Sequence, residues 1–235
     1  MSKPLIIFAG ECNSCGYTPH RFLLPGELGK HQEVYIFNNR TEVIEPLDLC
    51  VNNNLEHANV DPGRSFGWEV FLVNQHKAGL WQPYERLYLL KVGQGGMKSG
   101  YWHDKNYPYY DILINRYKKV VEQLGDVNPI MWLQQGSNER NEPSEEANFK
   151  GNMWRFFDRL RTDIPGIPVL LPKQPPYSIA LDPVCDLIAA GYDKVTAVNI
   201  YAANDHMQDE QHWNRTGMEI IANRLQTETM RYWRG

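Results

Sequence analysis

The chain has 235 residues, of which 42% are hydrophobic and 22% charged, and its net charge is −4. That length suits one α/β domain spanning residues 1–235 with a sizeable core, and the mildly acidic balance argues against nucleic acid or an anionic membrane as partner. No apolar run approaches the roughly 18 residues of a membrane-spanning helix, and four cysteines are too few for a disulfide scaffold.

The first apolar run, 5–9, falls short of the roughly 7–15 residues of a secretory signal core and reads as a strand. A reducing, cytoplasmic setting is the default expectation. Residues 34–37 read as an optional extra strand. The rest of 33–64, with Asn52-Asn53-Asn54 and Asp61-Pro62-Gly63, reads as a long surface loop. Further strands are expected at 87–92, 130–134, 169–171 and 196–200, each nearly continuously apolar, as in a parallel strand covered on both faces. Between them run helical periodicities: Tyr110, Leu113, Ile114, Tyr117, Val121 and Leu124; then Phe149, Met153, Phe156, Phe157 and Leu160; then Leu181, Val184, Cys185 and Ile188; finally Met218, Ile221, Ala222 and Leu225. This alternation predicts a three-layer α/β/α sandwich, flavodoxin-like, around a mainly parallel sheet of about five strands.

In such sheets ligands sit beyond the carboxyl ends of the strands, and the unusual residues gather there. Cys12 follows the first strand, where backbone N–H groups at a strand-to-helix turn lower a thiol's pKa. By residue type alone it could be a nucleophile, half of a redox pair with Cys15, a metal ligand or a buried apolar group. A zinc site would need two more paired ligands; Cys50 and Cys185 stand alone, and Cys185 falls on an apolar helix face. Asp209 and His212 form an Asp-x-x-His pair, in which the carboxylate can fix the imidazole tautomer of a general base. His206 beside Asp205 is its rival. Gly93-Gln94-Gly95-Gly96 lacks the phosphate-loop pattern and reads as a turn that lets backbone approach the site. The aromatics Tyr101, Trp102, Tyr107, Tyr109 and Tyr110 could stack on sugar faces or belong partly to the core.

The order of these blocks resembles the SGNH hydrolases, and within them the sialate O-acetylesterase-like branch, the carbohydrate esterase family 6 type. Gly10-Glu11-Cys12-Asn13 stands where that branch has Gly-Gln-Ser-Asn. Pro62-Gly63-Arg64-Ser65-Phe66 is similar to its second block. Lys91, Gly95, Gly96 and Trp102 match a Lys-x-x-x-Gly-Gly…Trp stretch, and Trp132, Gln135 and Gly136 match a Trp-x-Gln-Gly-Glu block with one residue inserted. Asp209, His212, Trp213 and Gly217 match Asp-x-x-His-Phe-x-x-x-Gly. The chain departs from the pattern at four places: cysteine for the nucleophilic serine, Glu11 for glutamine, Ser137 for glutamate, and Asn138-Glu139 for Ser-Asp.

The resemblance implies an ester hydrolase acting on an acetylated carbohydrate or similar small ester. Cys12, His212 and Asp209 would form the triad, and the N–H groups of Cys12 and Gly63 with the Gln135 amide would hold the oxyanion. Asn13, Gly95, Gly96 and Trp102 would contact substrate. No metal or organic cofactor is implied. The alternative is a catalytically silent binding or structural module on the same fold, for instance within a virion or another large assembly. The oligomeric state is not encoded in any of these patterns.

Overall fold

A computed structural model of the chain describes residues 2–49, 51–53, 65–139 and 143–234. Cys50 and all of the expected 33–64 loop beyond residue 53, Gly63 included, lie outside these. In chain order, β1 (Lys3–Gly10) leads through one helical turn, α1 (Cys12–Cys15), and β2 (Thr18–Pro19) to β3 (Gly29–Asn38) and β4 (Val43–Leu49). β5 (Ser65–Phe66) and α2 (Glu69–Lys77) precede β6 (Leu87–Gly93). Then follow α3 (Tyr109–Leu124), β7 (Val127–Gln134), α4 (Pro143–Asp163), β8 (Val169–Pro172), α5 (Asp182–Gly191), β9 (Val195–Val198) and α6 (Arg215–Arg234).

The main sheet has seven strands in the order β4-β3-β6-β1-β7-β8-β9, and β2 pairs with β5 separately. All neighbours in the main sheet are parallel except β4, which runs antiparallel to β3. The five expected strands are present. The sixth, β3, is longer than the optional strand at 34–37, and β4 replaces part of the expected loop. β4 hid in the sequence because it is an edge strand carrying Pro46, and only Leu47 and Leu49 of it are fully buried. Proline is tolerated only at such edges.

Alternation along β1 distributes the core. Leu5, Ile7 and Ala9 join the residues of α3, α4 and α5 on one face; Ile6 and Phe8 join those of α2 and α6 on the other. The helical faces read from periodicity pack against the sheet, except that in α3 Val120 is the buried residue where Val121 was expected. In α2, by contrast, Glu69 through Val73 are all buried, so the helix has no polar stripe to reveal its period. Among the described residues, no helix is long and apolar enough to cross a membrane.

The central strands β6, β1 and β7 end level with one another at Gly93, Gly10 and Gln134. The chain leaves β1 toward one side of the sheet and later crosses to the other side with β7, so a crevice opens at the carboxyl end of β1.

Candidate active site

Gly10 has φ 122°, and any Cβ there would lie 1.8 Å from the Gln134 carbonyl oxygen. Only glycine lets β1 turn so tightly against β7. Immediately after it, the Glu11 carbonyl accepts the N–H groups of Ser14 (3.0 Å) and Cys15 (2.9 Å), which closes α1. Cys12 occupies the first position of that turn and is 4% exposed.

The other half of the site is the loop between β9 and α6. A bridge between Met207 and Trp213 braces it. Gln208 donates to the His212 carbonyl and Asn214 to the His206 carbonyl, both at 2.9 Å. The buried Trp213 indole donates to Asn204 Oδ1 at 3.0 Å. Gly217 lets α6 pass beneath, since a Cβ there would meet the His206 oxygen at 2.7 Å. Asp209 Oδ1 accepts the N–H groups of Gln211 and His212, each at 2.9 Å, and the carboxylate faces His212 Nδ1 at 2.8 Å. With Nδ1–H given to Asp209, Nε2 is left as an acceptor, and it lies 3.1 Å from Cys12 Sγ. The rival, His206, is engaged through its backbone in the loop.

Three ties fasten this loop to the segment after β1. Asn13 Nδ2 donates to the Gln211 carbonyl at 3.0 Å. Thr18 Oγ1 donates to the Trp213 carbonyl at 3.5 Å. The Tyr17 ring stacks on the His212 imidazole with centroids 4.1 Å apart and planes 20° from parallel. Tyr17 was not among the expected site residues; an aromatic five positions past the cysteine carries no signal until the loop's path is known.

Several expectations change. Gln135 is fully buried; its Oε1 accepts the Trp102 indole N–H at 2.9 Å and its Nε2 donates to the Met97 carbonyl at 2.8 Å. It braces the 97–102 segment and has no amide turned to a substrate. Trp102 is 1% exposed and packs on Phe156, so it is core and not a sugar platform. Asn13, 2% exposed, is a loop tie. Gly95 is half-buried and Gly96 exposed, and the Gly96 N–H faces the Cys12 sulfur, as does that of Asn13.

The electrostatics also differ from expectation. The turn's N–H groups do pull the Cys12 pKa down, but burial and then the adjacent Glu11 carboxyl push the thiol well above its ordinary range. Cys12 is a neutral thiol at rest. Glu11 is itself pushed up to about 8 by burial and by Glu139. Its oxygens accept the Ser137 N–H at 3.1 Å and Asn138 Nδ2 at 2.7 Å. Burial likewise raises Glu139, which accepts the Ser99 N–H. Asp209 behaves oppositely: burial acts to raise it, but the N–H of Gln211 and the His212 contact outweigh that, and its carboxyl sits below the usual range.

A buried ion pair lies beside Asn53, which precedes residues 54–64. Lys91 Nζ reaches Glu69 Oε2 at 3.0 Å and the Asn53 carbonyl at 2.7 Å. Glu69 Oε1 accepts the Gly67 N–H at 2.9 Å, and Ser65 Oγ donates to the Gly16 carbonyl at 3.0 Å. Both flanks of 54–64 are thereby pinned beside α1. Cys12, Cys15 and Cys185 form no disulfide, and no cluster that could hold a metal ion occurs among the described residues.

A thiol, an imidazole and a carboxylate in hydrogen-bonded sequence at the carboxyl edge of a parallel sheet can carry out nucleophilic acyl transfer, which places the molecule among the α/β hydrolytic folds. The chain belongs to a carbohydrate esterase family: the profile described as carbohydrate esterase, sialic acid-specific acetylesterase, matches residues 2–231. A search of curated proteins finds no match. Among solved structures, a protein from Arabidopsis thaliana is 17% identical with a TM-score of 0.77, covering 98% of each chain. NanS is 13% identical with a TM-score of 0.68, covering 99% of this chain and 98% of its own. Axe2, an acetylxylan esterase from Geobacillus stearothermophilus, is 13% identical with a TM-score of 0.52, covering 97% and 94%. At these identities the likeness establishes the SGNH-type fold.

Proposed function

We propose that the chain deacetylates a carbohydrate or similar acetyl ester, with Cys12 as nucleophile, His212 as general base and Asp209 as the group that orients it. One contact supports this most: Cys12 Sγ lies 3.1 Å from His212 Nε2 while Nδ1 of the same ring faces Asp209 at 2.8 Å. Because burial keeps the thiol protonated, the thiolate is made during attack. The S–H proton passes to Nε2 as Sγ bonds to the acetyl carbon. The N–H groups of Cys12, Gly63 and Gly96 receive the oxyanion, each donor contributing on the order of 3 kcal/mol. Collapse of the tetrahedral intermediate expels the sugar oxygen, which takes the proton from His212 and leaves an acetyl thioester on Cys12. Water then attacks the thioester, giving one proton to His212, which passes it to the departing sulfur; the thiol is restored, and acetic acid leaves and loses its proton to solvent.

Turnover of an acetylated sugar by the parent, Cys12→Ser and Cys12→Ala tests this reading. The serine variant should keep measurable activity, and the alanine variant should lose about a thousandfold or more. Equal rates for parent and alanine variant would remove Cys12 as nucleophile. A second reading, a silent binding module, draws on the 4% exposure of Cys12 and its protonated state. Three inert forms that still bind the sugar equally would select it.

A further inference from the structure

We propose that Tyr17 is the positioning residue of His212: its ring, stacked on the imidazole face, holds that ring between Cys12 and Asp209 and stabilises the imidazolium formed when the thiol proton is taken. The inference rests on His212 acting as the general base.

The geometry begins with what the triad's hydrogen bonds leave free. Asp209 meets the Nδ1 edge and Cys12 the Nε2 edge. Both partners lie at ring edges, so neither resists rocking of the imidazole about the line joining them. A ring stacked on the face, with centroids 4.1 Å apart and planes 20° from parallel, resists that motion. Tyr17 can do so because its own backbone is held on both sides. The Gly16 N–H donates to the Cys12 carbonyl at 2.9 Å, and Thr18 pairs with Phe66 while bonding the carbonyl of Trp213, the residue after His212. The imidazole and its cover are thus anchored to the same short stretch of loop.

The cover also sets the local charge balance. The Tyr17 residue is 37% exposed and the His212 side chain 14% exposed. Among the described residues, Asp209 from its own loop and the Cys12 thiol from α1 meet the edges of the imidazole and the Tyr17 ring meets its face. An aromatic face attracts a cation through its quadrupole. Stacking therefore stabilises the positive charge that develops on the ring as it takes the thiol proton. An aliphatic side chain of similar bulk would exclude water equally and lack that attraction.

Two substitutions separate these contributions. Tyr17→Phe keeps the face, and its kcat on an acetyl ester should stay within about twofold of the parent. Tyr17→Leu keeps the bulk alone, and kcat should fall between about threefold and thirtyfold with little change in KM. Proton NMR of the His212 ring gives a readout independent of turnover. Its carbon-bound protons should show upfield ring-current shifts in the parent and in Tyr17→Phe, lost in Tyr17→Leu. Leucine performing as well as phenylalanine, a loss confined to KM, or unmoved His212 resonances would each overturn the proposal. His212→Asn keeps the two failures apart. If it retains parent turnover, the general-base reading fails; if it is inactive while Tyr17→Leu matches the parent, only the role of Tyr17 fails.

Discussion

Glu11 precedes Cys12 in the chain and acts on its thiol, and Asp209 is hydrogen-bonded to His212, so two carboxyl groups neighbour one thiol–imidazole contact. Their surroundings differ. Glu11 is fully buried near a second carboxyl, Glu139, and holds its proton to about pH 8. The Asp209 side chain is 48% exposed, collects backbone N–H donors, and ionises below the usual carboxylate range. The site therefore keeps one flank neutral and the other charged at neutral pH. That separation suits a base step in which positive charge develops on His212, which Asp209 meets with a fixed negative charge. Pairs of carboxyls driven apart by environment commonly divide roles in this way.

The largest expected effect comes from removing the charged flank. Asp209→Asn should lower acetyl-ester turnover by about 10⁴-fold, because the amide favours the wrong imidazole tautomer, while circular dichroism stays unchanged. Asp205→Asn should barely register. Equal losses from the two would mean that the orienting carboxylate has been wrongly chosen.

Converting the neutral flank to a permanent amide should affect stability more than activity. Between pH 4.5 and about 8 the folded chain keeps a Glu11 proton that the unfolded chain has released. The stability that this protonated group contributes is fully present below pH 4.5 and is lost as pH rises through about 8. Glu11→Gln carries no such proton, so at pH 9 it should be more stable than the parent by on the order of a few kcal/mol, with the gain gone at pH 4. Urea melts at the two pH values measure this. An identical difference at both would show that Glu11 ionises alike in the folded and unfolded chain.

The smallest effect is expected from the tie between the flanks. Asn13→Ala removes the bond to the Gln211 carbonyl and should cost about 1 kcal/mol, a fall in Tm of about 2–4 °C for a chain of this size. No change in Tm would mean that the loop holds its place without that bond.

Cys12 was readable in sequence as a candidate because it directly follows the first strand, and Asp209 and His212 because they form a short Asp-x-x-His block in the loop before α6. The helical faces of α3 to α6 were readable for the same reason, since amphipathic spacing is a local property. What escaped depends on distant partners. Whether the Gln135 amide is free or consumed turns on Trp102 and Met97. The thiol's raised pKa turns on its own burial and then on the neighbouring Glu11 carboxyl, which no spacing encodes. Tyr17 meets His212 only because two loops far apart in sequence converge. α2, buried on every side of its first turns, and β4, an edge strand interrupted by Pro46, lacked the periodicity by which elements are recognised.

The contacts that complete the site join positions 195, 198 and 200 residues apart, from Thr18 to Trp213, Asn13 to Gln211 and Cys12 to His212. Closing a loop of that size costs entropy before any of the three bonds forms, and non-local contacts of this kind are slow to make. The parallel strands and their covering helices can pair without them. During refolding, the first strand and the C-terminal loop must both be in place before the sulfur meets its base, so recovered turnover should trail the return of helical circular dichroism. Such a lag would make the enzyme's own reaction a clock for the last stage of chain assembly.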